Sequence, residues 1–272
     1  MPIAPIDSSY VRTLVRDRSA IVLDESKEYL LESRLLPLVR RERLSSIGDL
    51  VGQLRSRPYG SLHELVVEAM TTNETSFFRD IHPFEALRHG VIPELIQARA
   101  SERKLNIWCA ACSSGQEPYT IAMLLDHHFP QLAGWDVSIL GTDLSGQMLD
   151  RAREGAYTKL EVNRGLPAPM LVKYFEAEGL MWRVKKPLRD RIEFKPMNLV
   201  GMWPMMPKMD IVFMRNVLIY FDTEVKKTII GNVRRVLRRD GSFFLGASET
   251  PMNLDDAFER KTHGRGGYFQ LR

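Results

Sequence analysis

The most constraining feature of this 272-residue chain is the run Asn106-Ile107-Trp108-Cys109-Ala110-Ala111-Cys112-Ser113-Ser114-Gly115-Gln116-Glu117-Pro118-Tyr119. Leu105 to Cys109 is short, apolar and preceded by charge, which predicts a strand buried on both faces in a parallel sheet. Only small residues follow, so the backbone can turn sharply beside a ligand. Pro118 then suits the first turn of a helix, where its missing N–H costs nothing, and Ile121, Met123, Leu124 and Leu125 give that helix an apolar face. Strand, small-residue turn and helix start together predict a crevice at the carboxyl end of an open α/β sheet.

The loop lacks G-x-G-x-x-G, and Glu117 is its informative departure. A carboxylate at a helix start favours a cationic or hydroxyl-bearing ligand over a pyrophosphate, whose charge it would repel. It equally fits an ordinary first-turn acid serving the helix dipole, and the loop alone leaves both readings open. The two cysteines, Cys109 and Cys112, form C-x-x-C, yet one falls on the strand and the other within the turn. A redox pair would place the first cysteine exposed at the helix start, and a zinc site needs further ligands that are absent, so both are read as small packed residues and no metal is expected.

With 44% hydrophobic and 26% charged residues the composition is that of a globular protein with a sizeable core. A net charge of +4 permits an acidic partner without singling out nucleic acid, which is not expected. No apolar segment approaches the ~20 residues that span a bilayer, and the N-terminus lacks a signal core, so a cytoplasmic protein without membrane insertion is expected.

From Asp7 to about Arg88 the pattern is helical throughout. Asp7 is placed to cap a helix carrying Tyr10, Val11, Leu14 and Val15. A second runs from about Glu25, with Leu31, Leu35, Leu38 and Val39 inward and Pro37 expected to kink or break it. Ser61 and Glu64 read as a capping box opening another. Arg34, Arg40, Arg41 and Arg43 make either a solvated face or a dock for an acidic helix.

Thr71-Thr72-Asn73-Glu74-Thr75-Ser76-Phe77-Phe78-Arg79-Asp80 breaks this periodicity. It reads as a linker anchored by Phe77-Phe78, or as a loop that turns Asn73, Thr75 and Arg79 to the crevice, where Arg79 could hold a carboxylate bidentately. After a helix from roughly His82 to Ala100, the α/β rhythm begins. Trp135 to Leu140 makes the second strand, ending in Gly141-Thr142-Asp143. An acid there can accept two hydrogen bonds from a ribose diol, or cap the next helix, although Ser145 could cap it and leave Asp143 spare. Met148 to Ala156 reads as a helix, and Tyr157 to Arg191 as an antiparallel insertion with β-like pieces around Leu180 to Val184 and Arg191 to Lys195. Met197-Asn198-Leu199 closes that passage at the tip of a third strand. Met209 to Met214 is a fourth, buried strand leading into Arg215-Asn216-Val217-Leu218-Ile219-Tyr220-Phe221. Asp222 and Thr223 start a helix through Leu237, Asp240-Gly241 reads as a turn, and Ser242 to Gly246 and Gly267 to Leu271 as strands.

Five of these motifs, in this order, resemble the CheR family of bacterial chemotaxis methyltransferases: T-T-N-E-T-S-F-F-R-D from Thr71, A-A-C-S-S-G-Q-E-P-Y from Ala110, G-T-D from Gly141, M-N-L from Met197 and R-N-V-L-I-Y-F from Arg215. The resemblance covers essentially the whole chain. It implies a doubly wound, mostly parallel α/β sheet of the class I methyltransferase type, at residues 89–272, behind an all-helical N-terminal domain at 1–88. A small antiparallel β insertion is expected at about 170–197. It also implies S-adenosyl-L-methionine as cofactor, S-adenosyl-L-homocysteine as product, and O-methylation of glutamate side chains on chemoreceptor cytoplasmic helices.

By the same resemblance Asn73, Thr75, Arg79, Glu117, Asp143, Asn198, Leu199, Asn216 and Val217 match the family's cofactor-contacting positions. Asp143 would take the ribose, Asn198 and Leu199 border the adenine, and Glu117 with the Asn73 to Arg79 loop hold the methionine end. Arg79 and Tyr220 are the candidate catalytic residues that orient the acceptor. Some members also dock a C-terminal pentapeptide tether of the receptor on the inserted subdomain. Here Phe175 to Leu180 is short with a single glycine, which points to tether independence and to docking through Arg34, Arg40, Arg41 and Arg43, by a monomer. The acceptor carboxylate, ordinarily titrating near pH ~4.3, is ionised at neutral pH, so alignment and desolvation rather than a general base are expected to drive transfer. A C-x-x-C redox protein and a non-catalytic cofactor-binding scaffold stand as rivals, whereas a serine hydrolase lacks its G-x-S-x-G.

Overall fold

The computed structural model describes residues 3–24 and 28–272. The chain separates into two compact units, Met1–Thr72 with Tyr220–Val225, and Asn73–Ile219 with Lys226–Arg272. Residues 73–88, grouped with the helical domain on sequence, therefore pack with the second unit. The cause is Phe77, Phe78, Phe84 and Leu87, which are buried in that unit's core.

The first unit contains α1 (Pro5–Ser19), α2 (Glu28–Arg41), α3 (Ile47–Ser56) and α4 (Ser61–Ala69). Val11, Val15, Leu35, Leu50, Val51 and Val66 are fully buried, each worth roughly 1.5–3 kcal/mol against exposure. Ala4, not Asp7, is the cap residue of α1, and Asp7 sits in its first turn. The expected start of the second helix at Glu25 lies outside the described residues. α2 runs on through Pro37 instead of breaking. Pro37 and Ser33, the residue whose carbonyl loses its partner, are both exposed, so water can satisfy that carbonyl. At α4 the cap is Gly60, not Ser61. The Gly60 N–H donates to His63 Nδ1 at 3.2 Å, while His63 Nε2 meets the Leu54 carbonyl at 3.0 Å.

The second unit opens with α5 (His82–Ala86), a π-turn at Leu87–Val91 and α6 (Ile92–Ala98). There follow β1 (Lys104–Ala110), α7 (Gln116–His128), β2 (Asp136–Asp143), α8 (Gly146–Glu154), β3 (Ala156–Thr158), α9 (Lys159–Asn163) and α10 (Ala168–Tyr174). β4 (Phe175–Glu178), β5 (Met181–Val184), α11 (Lys186–Arg189), β6 (Ile192–Pro196), β7 (Met209–Met214), α12 (Thr223–Val236), β8 (Leu237–Leu245), β9 (Phe258–His263) and β10 (Gly266–Leu271) complete the chain. The main sheet has the order β6-β2-β1-β7-β8-β10-β9. Its first five strands are parallel, and β10 is antiparallel to β8 and β9. The fold class is thus α/β, mostly parallel, in a chain that also carries an all-helical unit.

A second sheet, β3-β5-β4, is antiparallel. It spans 156–184 rather than 170–197, because β6 pairs parallel with β2 and belongs to the main sheet. Asp240-Gly241 is not a turn but part of β8, at a register shift opposite Met209 and Ile211. β9 has no counterpart in the sequence pattern, because its run of Glu259, Arg260 and Lys261 hides the alternation of an edge strand. Among the described residues no helix is long and apolar enough to cross a membrane. Nor, among them, do three or more His, Cys, Asp or Glu side chains group as metal ligands.

Candidate functional site

At the carboxyl ends of β1, β2, β6 and β7 four connecting segments meet, and β1 explains why they can. Trp108 and Cys109 are fully buried, and the chain leaves the strand through Ala111 and Ser113, both left-handed, with φ of 54° and 50°. Gly115 follows at φ 92° as the residue before α7. Non-glycine residues in this region cost of order 1 kcal/mol each and persist only where surrounding contacts over-determine them. Phe78, Asp80 and Asn216 are left-handed as well, so five such residues mark the loops at these strand tips.

The contacts that hold them are specific. Ser113 donates its N–H to Asp143 Oδ2 at 2.7 Å and its hydroxyl to the Asn73 carbonyl at 2.8 Å. Asp143 Oδ1 accepts from Ser145 N at 2.9 Å, and the Asp143 carbonyl accepts from Met197 N at 2.9 Å. Ser145 does cap α8, accepting from Met148 N. Asp143 is nevertheless not spare: its carboxylate fixes the small-residue loop to the tip of β2. Each carboxylate oxygen has two lone pairs, so holding backbone N–H groups is compatible with accepting ligand hydroxyls.

Arg215 organises the other side. Its Nη1 reaches Glu117 Oε2 at 3.0 Å, while Nη2 reaches Asp80 Oδ2 and the Arg79 carbonyl, each at 2.9 Å. The Arg215 side chain is 2% exposed and Glu117 13%. Burial pushes the Glu117 carboxyl above its ordinary range, against the opposing pull of Arg215. A buried carboxylate held unfavourably in the folded chain is the kind of group expected to meet a cation.

Among the sequence-derived site residues of the second unit, Asn73 and Asp143 are joined through Ser113, Arg79 and Glu117 through Arg215, and Asn216 bonds to Glu249. Asn198 and Leu199 follow the tip of β6 directly: Asn198 Oδ1 accepts from Val200 N at 3.0 Å, and the Leu199 carbonyl takes Trp203 Nε1 at 3.1 Å. Val217 is half-buried beyond Asn216, and Thr75 half-buried in the Asn73 loop. Arg79 commits Nη1 to the Glu74 carbonyl at 2.8 Å. Tyr220 is grouped with the helical unit, where its carbonyl accepts from Val22 N at 3.1 Å.

Arg215, Asp80 and Glu249 are site residues that the sequence reading does not single out. Arg215 and Asp80 stand at the ends of two of the matched motifs, which is the available signal for both; Glu249 carries none. Cys109 and Cys112 are buried free thiols. Burial raises both pKa values, with Glu117 adding to the first and Asp143 to the second, so neither offers a thiolate for redox or metal chemistry.

The donor set suits a ligand with an ammonium group and vicinal hydroxyls, since it presents one buried carboxylate at a helix start and another at a neighbouring strand tip. Comparison with known proteins agrees. Residues 73–265 match the CheR methyltransferase SAM-binding domain, and residues 7–71 the CheR methyltransferase all-alpha domain. Chemotaxis protein methyltransferase 1 of Pseudomonas aeruginosa is 44% identical over 264 residues, covering 95% of each chain. A chemotaxis protein methyltransferase of Pseudomonas putida is 42% identical over 98% of each. One of Vibrio parahaemolyticus is 39% identical over 95% of this chain and 94% of its own length.

Proposed function

The chain belongs to the CheR methyltransferase family, an S-adenosylmethionine-binding family, and from that premise we propose that it esterifies glutamate side chains on the cytoplasmic helices of chemoreceptors. The observation that carries this reading is the pair of carboxylates, Glu117 at the start of α7 and Asp143 at the tip of β2, set by Arg215 and Ser113. S-adenosylmethionine supplies an electrophilic methyl group on sulfonium and leaves as S-adenosylhomocysteine.

The protein's part is to bind and orient. Glu117 pairs with the ammonium end, and the Asn73 to Arg79 loop lies beside it. Asp143 accepts from the ribose, Asn198 and Leu199 border the adenine, and Asn216 and Val217 complete the wall. Arg79 and Tyr220 are assigned to orient the acceptor carboxylate. That carboxylate is ionised at neutral pH, so no side chain need remove a proton. Removing its water and fixing its line of approach supply the acceleration, up to roughly 7–11 kcal/mol in well-oriented reactions.

Docking is assigned to the exposed side of α2, where Tyr29, Leu36 and Arg40 lie at helical spacing, with Arg43 just beyond. This narrows the arginine cluster. Arg34 is committed to the Met70 carbonyl at 2.6 Å and Thr72 Oγ1 at 2.9 Å, and Arg41 to Glu42. The β4–β5 connection is only Gly179-Leu180, which supports tether independence, with the protein acting as a monomer.

The test is transfer of labelled methyl from S-adenosylmethionine to receptor cytoplasmic domains, with and without their C-terminal tails. Base-labile label on glutamate in both forms is expected. Base-stable label, or none, would overturn the reading.

A further inference from the structure

Glu249 lies just beyond β8, with 9% of its surface exposed, and its partners are backbone N–H groups. Oε2 accepts from Asn216 N and from Gly246 N, both at 2.7 Å, and Oε1 accepts from Ile219 N at 3.3 Å. One carboxylate thus ties together two segments that leave neighbouring strands, β7 and β8. A buried carboxylate is costly without such donors, and three of them make the arrangement specific to a charged, two-oxygen acceptor.

The fit around it is close. A Cβ on Gly246 would lie 2.7 Å from Glu249 Oε2, 2.8 Å from Asn216 Nδ2 and 3.0 Å from Asn216 N. Gly246 does not need a left-handed backbone here; it needs the missing side chain. Asn216 itself is held at φ 59°, a conformation that asparagine adopts more readily than most residues yet still at a cost. Its N–H bond to Glu249 is a local contact that holds it there. Directly before Asn216 stands Arg215, whose guanidinium fastens Glu117 and the Arg79 loop. Glu249 therefore grips from behind the turn whose front carries the site.

The geometry points to Glu249 as a positioning residue that sets the Arg215–Val217 turn for cofactor binding without touching the cofactor. This rests on the assignment of Asn216 and Val217 as cofactor contacts. Gln at 249 keeps one carbonyl oxygen able to accept from both Asn216 and Gly246, whereas Leu keeps the approximate bulk and loses every acceptor.

Titration calorimetry of the full-length protein with S-adenosylhomocysteine tests it. Glu249→Leu should bind about tenfold or more weakly, as expected when buried donors are orphaned. Glu249→Gln should stay within about threefold of wild type, and Asp240→Ala, which loosens the opposite end of the same sheet, should bind as wild type. In methyl transfer the loss should fall on KM for S-adenosylmethionine, with kcat kept within about twofold. Should Glu249→Leu fail to fold, Glu249→Met, whose unbranched side chain follows the same path without a carboxylate, is expected to show the same loss. Wild-type affinity in Glu249→Leu or Glu249→Met, alongside weakened binding in Asn216→Gly or Val217→Asp, would overturn the role of Glu249. Wild-type affinity in Asn216→Gly and Val217→Asp as well would overturn the turn's cofactor assignment, and this proposal with it.

Discussion

The two ends of the main sheet use the same materials, buried arginines and carboxylates, for different ends. At the amino ends of the strands, Asp210 is fully buried and accepts from Asn106 N and Arg99 Nε, both at 2.8 Å. Arg99 also grips Asp240 with both Nη groups, and Arg238 grips Glu102 in the same way. These pairs join the starts of β1 and β7 to β8 and the end of α6. At the carboxyl ends, Arg215 divides itself among Glu117, Asp80 and a carbonyl; among the described residues its buried Nε has no hydrogen-bond partner, which is equally true of Arg238 at the other end. The loops at this end carry five left-handed non-glycine residues, against one, Arg103, in the turn before β1. The difference lies in the backbone, not in the pairing: a network set among unstrained segments serves the fold, and one set among strained loops has the character of a binding site.

The two ends should separate most sharply at Asp210. Asp210→Ala leaves Arg99 and the Asn106 N–H without their buried partner, and a loss of about 3–5 kcal/mol in unfolding free energy is expected by urea denaturation. Affinity for S-adenosylhomocysteine should be unchanged at temperatures where the variant is folded. Arg215→Lys inverts that pattern. An ammonium has all its donors on one nitrogen and does not span acceptors that the guanidinium reaches from Nη1 and Nη2, so calorimetric affinity should fall by roughly 1–3 kcal/mol while stability changes less.

A pH series sharpens the same contrast. Because burial raises the Glu117 pKa, its carboxylate is protonated on acidification before an ordinary glutamate, whose usual value is 4.5. Cofactor affinity should therefore start to fall at a pH above 4.5, and Glu117→Gln should be weak and insensitive to pH over that range. The smallest effect belongs to Asp240, whose side chain is 55% exposed. Arg99 holds its carboxyl below the ordinary 3.8. A depressed native pKa gives stability that is complete above pH 3.8 and is lost as pH falls through the lower native value. Asp240→Asn should show a shallower acid limb in thermal melts taken across that range.

Much of the sheet is legible in the sequence because its strands announce themselves locally. Leu105 to Cys109 and Met209 to Met214 are short apolar runs bounded by turn chemistry, and they appear as β1 and β7 with one residue added at each end of the former. What escapes is whatever depends on a distant partner. β6 resembles part of a hairpin until β2 supplies a parallel neighbour, and the Asp240-Gly241 pair resembles a turn until Met209 and Ile211 supply a register shift. The helical unit departs from expectation at its caps, where His63 takes the role expected of Glu64. Within the site, Asn73, Glu117, Asp143 and Asn216 stand out through motif spacing. Asp80 ends a matched motif and Glu249 lies in an unpatterned loop, and only the folded chain brings them to Arg215 and Asn216.

The most direct test of the division between the two ends is a paired measurement of Tm and S-adenosylhomocysteine affinity on Asp210→Asn and Arg215→Lys. Asp210→Asn should melt well below wild type with unaltered affinity, and Arg215→Lys should bind at least about fivefold more weakly with the smaller change in Tm. Equal losses of both quantities in both variants would mean that the two ends are not separately committed to fold and ligand, and would contradict the account.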